Sequence, residues 1–274
     1  MINQGITHWP TAKYREHLMT VVDDTVAREF ALTVSINGEQ YATIVCTPTS
    51  LKELVIGFLA SEGIIGNQAD IQSLTIDDYK GFAYVELNFK IEVSERTERW
   101  IGSCCGKSRE FYLKQDVKVA KTIMSKTKIN PNQIVNLMQE FDNKANVFSQ
   151  TGGVHQAGLA TSANIETTFI DIGRHNALDK LFGYILLNKL PARDFCILFS
   201  GRISSEVVLK VSKIGAGILL AKSAPTDLAL KLADDLQITA VGFIRNNSLN
   251  VYTHGYRILN NGIEKNTQVR GGDL

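Results

Sequence analysis

Two adjacent cysteines, Cys104 and Cys105, lie in a glycine-flanked stretch just before a run of spaced apolar residues. In residues 107–126 the apolar positions recur at intervals of three and four, which predicts an amphipathic helix beginning close after Cys105. A thiol reacts as the thiolate, and its pKa falls beside unpaired helix N–H groups and cations such as Lys107 and Arg109. The pattern favours a reactive thiol. The alternative is that small cysteines fill a tight turn and do no chemistry.

Three turns in the second half of the chain combine glycine with polar side chains: residues 151–155, 171–180 and 200–205. Each is predicted to follow a strand and to precede a helix or a return strand. Binding sites in open α/β sheets lie outside the carboxyl ends of strands, so we expect the three turns to face one crevice. Helix amides there, with Arg174, Lys180 and Arg202, would attract phosphate or pyrophosphate. For each turn alone, an ordinary connection with a solvated cation is the alternative.

His155 and His175 are candidates to orient a ligand or to move a proton near a thiolate. A zinc deaminase needs the motifs His-x-Glu and Pro-Cys-x-x-Cys, whereas Gln156-Ala157 follows the first histidine and Asn176-Ala177 follows the second. The sequence also lacks a P-loop and a Gly-x-Gly-x-x-Gly motif after a strand. We therefore expect no bound metal.

The elements ahead of the thiols are predicted to form an N-terminal arm (residues 1–28) and a small α+β roll (residues 29–98). Two β-rich runs flank Asn37-Gly38, a strong signal for a hairpin. Ser50 and Glu53 have the spacing of a capping box. This box would open a helix over residues 51–63, and two more strands are expected at residues 71–76 and 82–91.

Residues 99–274 are predicted to form an α/β domain that carries the thiols and the cofactor site. Helices are expected at residues 107–126, 133–141, 174–187 and 226–236 and directly after residue 205. Strands are expected at residues 158–161, 167–172, 195–199, 218–220 and 240–244. Their alternation predicts a largely parallel sheet covered on both faces. The last strand runs into an asparagine-rich turn, whose amides fill turns and also read purine edges.

The composition excludes several classes of protein. A net charge of +1 over 274 residues gives no reason to expect nucleic acid or an anionic membrane as a partner. Four cysteines in a chain of this length do not make a disulfide framework. We see neither a signal peptide nor an apolar run of membrane-spanning length, so we expect a cytoplasmic protein.

Several stretches resemble the formate dehydrogenase accessory sulfurtransferases, the FdhD family. They run in the family's order, and the stretch from Gly173 to Lys180, which reads Gly-Arg-His-Asn-Ala-Leu-Asp-Lys, is the most specific. The other matching stretches are residues 46–48, 54–63, 103–106, 151–155, 171–172, 200–202, 223–226 and 241–252. Together they span the chain from about Glu29 to Tyr252.

The resemblance implies a carrier that takes sulfur as a persulfide from a cysteine desulfurase. The carrier would pass it to the molybdenum cofactor, Mo-bis(molybdopterin guanine dinucleotide), before the cofactor enters formate dehydrogenase. It also implies a cytidine-deaminase-like three-layer α/β domain behind the small α+β roll, without zinc ligands, and a homodimer.

Residue roles follow from the same resemblance. The family carries Ser-Cys-Gly-x-Cys-Gly at its thiol site, so Cys105 matches the first cysteine, Ser108 stands at the second, and Cys104 is the candidate second thiol. A family segment associated with the guanine dinucleotide falls on residues 243–248. The cofactor-binding candidates are Phe243, Ile244, Arg245, Asn246, Asn247, Ser248, His155, Arg174, His175, Lys180 and Arg202.

Two other functions stay open on the residues alone. One is an acyl-transfer or amidohydrolase enzyme with Cys105 as nucleophile and His155 or His175 as base. The other is a non-catalytic chaperone that only holds the cofactor.

Overall fold

The computed structural model of the protein describes residues 5–91, 99–101 and 122–259. The chain divides into two compact units, each made of separated stretches. The first unit comprises Met1–Lys107, Ala145–Gln156 and Phe169–Asn188, and the second comprises Ser108–Lys144, Ala157–Thr168 and Lys189–Leu274. The domain boundaries expected after residues 28 and 98 stay predictions.

The first unit begins with a two-stranded antiparallel hairpin, β1 (Ile6–Arg15) and β2 (Leu18–Ala27), in the region predicted to be an arm. A five-stranded sheet follows, with the order β5-β6-β3-β4-β7. Its strands are β3 (Phe30–Ile36), β4 (Glu39–Cys46), β5 (Ile71–Asp77), β6 (Phe82–Leu87) and β7 (Arg99–Ile101). The predicted hairpin is confirmed, since β3 pairs antiparallel with β4. Asn37 and Gly38 both have positive φ, as a two-residue hairpin turn requires.

Within its described residues, the first unit contains the α-helices α1 (Leu51–Ser61), α3 (Asn146–Thr151) and α4 (Arg174–Leu187). Helix α1 confirms the predicted helix, but the predicted capping box is wrong. Ser50 has a φ of 51° and ψ of 45°, and its side chain makes no capping hydrogen bond. In this left-handed conformation the hydroxyl is not presented to the first-turn amides in the way that an extended N-cap residue presents it.

Helices α1 and α4 cross at two glycines. A Cβ on Gly57 would overlap with the backbone carbonyl of Asp179, and a Cβ on Gly183 would overlap with that of Glu53. Close to the crossing, the Ser61 hydroxyl donates a buried hydrogen bond of 2.6 Å to Asp179 Oδ1. The two backbones therefore approach to a distance that only glycine permits at both positions.

The second unit contains most of a six-stranded sheet with the order β13-β12-β11-β10-β8-β9. Its strands are β8 (His155–Ala160), β9 (Ile165–Asp171), β10 (Cys196–Phe199), β11 (Ile218–Ala221), β12 (Thr239–Arg245) and β13 (Ser248–Val251). Strand β11 pairs parallel with β10 and β12, whereas β8 pairs antiparallel with β10 and β13 antiparallel with β12. The prediction of a largely parallel sheet is therefore corrected to a mixed one.

Helices α2 (Pro131–Asn143), α5 (Ser205–Ile214) and α6 (Asp227–Asp235) complete the second unit. The three predicted helices are present and begin within two residues of the predicted positions. Asn130, Ser204 and Thr226 each accept a hydrogen bond from a first-turn amide, which fixes these starts. Apolar side chains of α2 form a buried core with β10, β11 and β12. Its fully buried members include Ile134, Phe141 and Leu198.

The helix predicted over residues 107–126 lies mostly outside the described residues. Its last five residues, 122–126, are described, and they are not helical. Ile123 is buried, and its N–H bonds to the carbonyl of Leu236. The Ser125 hydroxyl donates a 2.6 Å bond to the carbonyl of Arg193. The apolar spacing here serves an extended segment, so the predicted end of the helix is wrong.

Candidate functional site

The predicted thiols, Cys104 and Cys105, lie outside the described residues. The other two cysteines are buried, and each has a raised pKa. Burial raises the pKa of Cys46 to about 12, with Asp171 adding to the effect and Lys180 opposing it. Burial alone raises the pKa of Cys196 to about 12. Neither buried thiol forms a thiolate near neutral pH, so neither is suited to nucleophilic chemistry.

The turn from β9 into α4 is built on the buried carboxylate of Asp171. Its Oδ1 accepts hydrogen bonds from the Gly173 N–H at 2.8 Å and from Asn176 Nδ2 at 2.9 Å. Its Oδ2 accepts a 3.0 Å bond from the Thr47 N–H. Asn176 Nδ2 also donates to the carbonyl of Val45 at 2.8 Å. The carboxylate therefore fixes the start of α4 and joins it to the chain that leaves β4.

Lys180, predicted among the cofactor-binding residues, neutralises this carboxylate. Its ammonium lies 2.7 Å from Asp171 Oδ2, and both side chains are 0% exposed. It also donates to the carbonyls of Thr47 at 3.1 Å and Ile170 at 2.9 Å, with Thr49 Oγ1 at 3.3 Å. Three N–H donors are thus committed to protein acceptors. The ammonium of Lys180 is therefore buried among protein acceptors, and its predicted role in cofactor binding stays a prediction.

Arg174 and His175 occupy the first turn of α4, directly after this network. Both are partly buried, and Arg174 Nε donates a 3.3 Å hydrogen bond to His175 Nε2. The two side chains predicted as anion and proton handlers are therefore held together at one helix N-terminus.

His155 belongs to the same unit and is electrostatically coupled to His175. Burial is the main cause that lowers the pKa of His155 below 6.5; His175 lowers it further and Asp171 opposes the shift. A histidine with this shift stays neutral at physiological pH and is able to accept a proton. The structure therefore brings His155, His175 and Arg174 into one polar group beside Asp171.

The turn that contains residues 151–155 differs from its predicted design. It connects helix α3 to β8 through Gly152, which has a φ of 64°, so it precedes a strand instead of following one. The prediction of a strand end here is wrong, because the residues before Gly152 form a short helix. In the second unit, Ala157 of β8 pairs with Phe199 of β10, so the amino end of β8 lies beside the carboxyl end of β10.

The turn at residues 200–205 meets two other strand ends at the carboxyl edge of the second unit's sheet. Ser223 Oγ, after β11, donates a 3.3 Å bond to the carbonyl of Ser200, and the Ile203 N–H bonds to the carbonyl of Ala224. Ser223 also accepts a long 3.4 Å bond from the Phe243 N–H. Arg202 is exposed at this edge. The turns that follow β10, β11 and β12 therefore meet at this edge. The grouping predicted from the sequence, of the turns at residues 151–155, 171–180 and 200–205, stays a prediction.

Residues 243–248 comprise the bulged end of β12, the tight turn that follows it and the first residue of β13. Phe243 has a φ of 53°, and the register shifts between Gly242 and Arg245. The Arg245 guanidinium carbon lies 5.6 Å from the centre of the Phe243 ring. Ile244, by contrast, is buried in the core, so its side chain does not reach a ligand. A positive φ at a non-glycine residue is energetically unfavourable. At Phe243 this conformation coincides with the register shift, and the aromatic ring is half-exposed.

The other end of this turn carries the amides. Asn246 and Asn247 both have positive φ and are exposed, and Ser248 donates a 2.8 Å bond to the carbonyl of Arg245. Gln139 of α2 donates a 3.4 Å bond to Asn247 Oδ1. Tyr252, which the sequence did not place in the site, lies against Gly242, where an added Cβ would meet its ring at 3.2 Å. The sequence analysis did not select Asp171, Thr47 or Tyr252 as site residues. All three lie in the stretches that resemble the family, and this resemblance is the signal that could have identified them.

Two further findings concern only the described part of the chain. In it, we find no cluster of three or more side chains suited to hold a metal ion. Among the same residues, no helix is long and apolar enough to cross a membrane.

These features define a mixed α/β protein with three sheets, a buried Asp–Lys pair under a histidine and arginine turn, and an aromatic and amide turn at a strand end. Residues 27–259 match the family described as FdhD/NarQ. The chain therefore belongs to the FdhD/NarQ family.

Two bacterial relatives of similar sequence are both described as sulfur carrier protein FdhD. The chain is 52% identical over 248 residues to the sulfur carrier protein FdhD of Bacillus pumilus, covering 90% of this chain and 95% of that protein. It is 50% identical over 252 residues to the sulfur carrier protein FdhD of Staphylococcus aureus strain MRSA252, covering 91% and 95%. A crystal structure of a candidate formate dehydrogenase accessory protein from Desulfotalea psychrophila shares the fold. It has a TM-score of 0.77 at 24% identity and covers 93% of this chain and 99% of that one.

Proposed function

We propose that this chain is a cytoplasmic sulfurtransferase that carries sulfur for the maturation of formate dehydrogenase. Its sulfur comes from a cysteine desulfurase and passes to Mo-bis(molybdopterin guanine dinucleotide), the bound substrate, before that cofactor enters the enzyme. The observation that carries the proposal is the 52% identity to a sulfur carrier protein over 90% of the chain. From the same similarity we propose that the functional assembly is a homodimer.

Cys105 accepts the sulfur. Its thiolate attacks the outer sulfur of the desulfurase persulfide, a new S–S bond forms on Cys105, and the desulfurase cysteine leaves as thiolate. Releasing that sulfur as sulfide takes two electrons, which a second thiol supplies by forming a disulfide with Cys105. Cys104 is the candidate within this chain.

The topology of the first unit supports a role for its polar group near the thiols. Strand β7 runs parallel to β4, with Ile101 paired to Ile44, so both strands end at the same edge of the sheet. Strand β4 ends at Cys46 and leads into Thr47, which bonds to Asp171. Cys104 follows Ile101 by three residues in the sequence. His155, His175 and Arg174 are therefore suited to hold a proton or an anionic group close to the persulfide.

The carboxyl edge of the second unit's sheet supports a site for the guanine dinucleotide. The half-exposed Phe243 ring offers a face for stacking a base, and Asn246, Asn247 and Ser248 offer donors and acceptors for its edge. Arg245 and the exposed Arg202 supply positive charge for phosphate. In the same proposal, the unit is a cytidine-deaminase-like three-layer domain that has exchanged zinc chemistry for cofactor binding.

Mass spectrometry after mixing the protein with a cysteine desulfurase and cysteine tests the sulfur-carrier function. We expect the mass to increase by one sulfur atom and the increase to disappear with a thiol reductant. An acyl adduct formed with an ester or amide substrate would support the hydrolase alternative instead. If the protein binds the cofactor but its mass does not change, the result would support the alternative of a chaperone that only holds the cofactor.

Calorimetry tests the guanine site. GDP is expected to bind more tightly than ADP, because a site whose donors and acceptors fit guanine leaves them unpaired with adenine. Arg202→Ala is expected to cost roughly 1.5–3 kcal/mol of GDP binding free energy, the range for hydrogen bonds to charged groups.

Arg193→Ala is the matched control. Arg193 precedes the same strand, β10, at its other end, and its side chain is 77% exposed. Equal affinities for the two nucleotides, or equal losses in both variants, would remove the site from this edge.

A further inference from the structure

The hairpin β1–β2 carries an unusual concentration of exposed apolar side chains. Among the described residues, six of the fourteen large exposed hydrophobic side chains lie in it. They are Trp9 (65%), Tyr14 (65%), Leu18 (64%), Met19 (60%), Val21 (79%) and Val22 (36%). Single exposed apolar residues need no explanation, but a group of this size marks an interaction surface.

These side chains occupy both faces of the hairpin. The register pairs Arg15 with Leu18 and Thr11 with Val22, which places Leu18, Val22 and Trp9 on one face. It pairs Tyr14 with Met19 and Ala12 with Val21, which places Tyr14, Met19 and Val21 on the other. An arm of two strands is at best marginally stable in water by itself. The arm therefore needs a partner that covers both of its faces.

Two close pairs of polar side chains lie within the hairpin. Lys13 lies 2.6 Å from Asp24, and His8 Nδ1 lies 3.6 Å from Asp23. Two of the three acidic side chains of the hairpin are therefore engaged within it, which reduces the charge available to select an oppositely charged partner. Permanent homodimer interfaces are more apolar than transient ones. A partner that a carrier binds and leaves in turn is expected to meet a more polar surface.

The size of the surface also suits a dimer. The six side chains expose an apolar area on the order of 600–700 Å² in each copy. This approaches the roughly 800 Å² that each partner buries in an interface of standard size. Another copy of the same chain is also always available as a partner, because all copies are present at the same concentration.

We infer that the β1–β2 hairpin is a dimerisation arm whose apolar faces are covered by a second copy of this chain. The inference deepens the proposed function, on whose homodimer it rests. The Arg28 N–H bonds to the carbonyl of Gly5 and closes the hairpin base, and the Ala27 side chain holds this base against Gly153 of the same unit. The family match begins at residue 27, where β2 ends, so the arm lies outside the part that defines the family.

Sedimentation over a range of concentrations tests the arm in the full-length protein. Tyr14→Thr is expected to raise the dimer dissociation constant at least tenfold, and the triple substitution Y14T/M19T/V21T at least a hundredfold. Threonine keeps the strand propensity while it removes the apolar surface. Tyr79→Thr, at a 97% exposed tyrosine in the turn between β5 and β6, is the matched control and is expected to change nothing.

Tryptophan fluorescence gives an independent measurement that needs no change in the arm. The chain has two tryptophans, so Trp100→Phe leaves Trp9 as the only reporter. Its emission is expected to shift to longer wavelength as dilution dissociates the dimer. An emission that does not change on dilution would overturn the inference.

The outcomes separate the arm from the rest of the proposal. A wild-type dimer that survives Y14T/M19T/V21T unchanged would overturn the arm and leave the homodimer standing. A wild type that is monomeric throughout would overturn both, while persulfide loading would still test sulfur transfer. Emission that shifts only when desulfurase or formate dehydrogenase is added would make the hairpin a docking surface for that enzyme, and would also overturn the inference.

Discussion

Replacing Cys105 by alanine is expected to abolish persulfide loading from a cysteine desulfurase, whereas Cys104→Ala is expected to retain part of it. The expectation rests on the resemblance described above, in which Cys105 aligns with the first cysteine of the family's thiol motif. Cys46 and Cys196 are not substitutes, because both are buried and both have a pKa raised to about 12. Loading is measured by intact-protein mass spectrometry, with desulfurase and cysteine in excess.

The C104A/C105A protein provides the control for the buried thiols. Native alkylation at pH 8 is expected to leave it unmodified, and alkylation in denaturant is expected to modify both remaining cysteines. This would show that the buried thiols are present but unreactive in the fold. Persulfide on the Cys105→Ala protein at the wild-type level would overturn the assignment to Cys105.

Lys180→Met is expected to lower the free energy of unfolding by about 3–5 kcal/mol, the usual cost of removing one partner from a buried ion pair. The substitution leaves the Asp171 carboxylate without its countercharge and removes the ammonium donor from the carbonyls of Thr47 and Ile170. Urea unfolding followed by circular dichroism measures the loss. The same destabilisation is expected to loosen the turn that carries Arg174 and His175.

Lys222→Met is the matched control, because Lys222 forms an ion pair of nearly the same length, 2.8 Å, with Asp142. Both of those side chains are 41% exposed, and an exposed pair contributes only about 0–1 kcal/mol. If the two variants lost the same amount, the buried pair would not have the importance that we assign to it.

The features that the sequence predicted correctly are the ones fixed by neighbouring residues. Asn37-Gly38 specifies its own turn, and the helix predicted at residues 133–141 is stabilised at its start by a local capping box of Asn130 and Gln133 that the sequence analysis did not identify. Thr226 likewise caps α6 through its own side chain. Such signals operate within one turn of chain, so they do not depend on the rest of the fold.

The features that the sequence missed are fixed by distant residues. Ser50 has the spacing of a cap, but the chain around it is held by contacts between Thr47 and the β9–α4 turn, more than 120 residues away. Lysine is a residue type that commonly binds phosphate, which is why the sequence predicted this role for Lys180. Only the fold shows that its ammonium lies beside the Asp171 carboxylate. The antiparallel direction of β8 is likewise invisible in an apolar pattern, which is the same for either direction.

The glycine crossing of α1 and α4 also has a consequence for the order in which the protein is made. Helix α1 ends at Ser61, but the backbone that covers Gly57 belongs to residues that the ribosome adds about 120 positions later. At cellular rates of translation that delay is on the order of 10 s, during which the apolar surface of α1 around Gly57 lacks its native neighbour. The nascent chain is thus expected to be a client of ribosome-associated chaperones until α4 emerges.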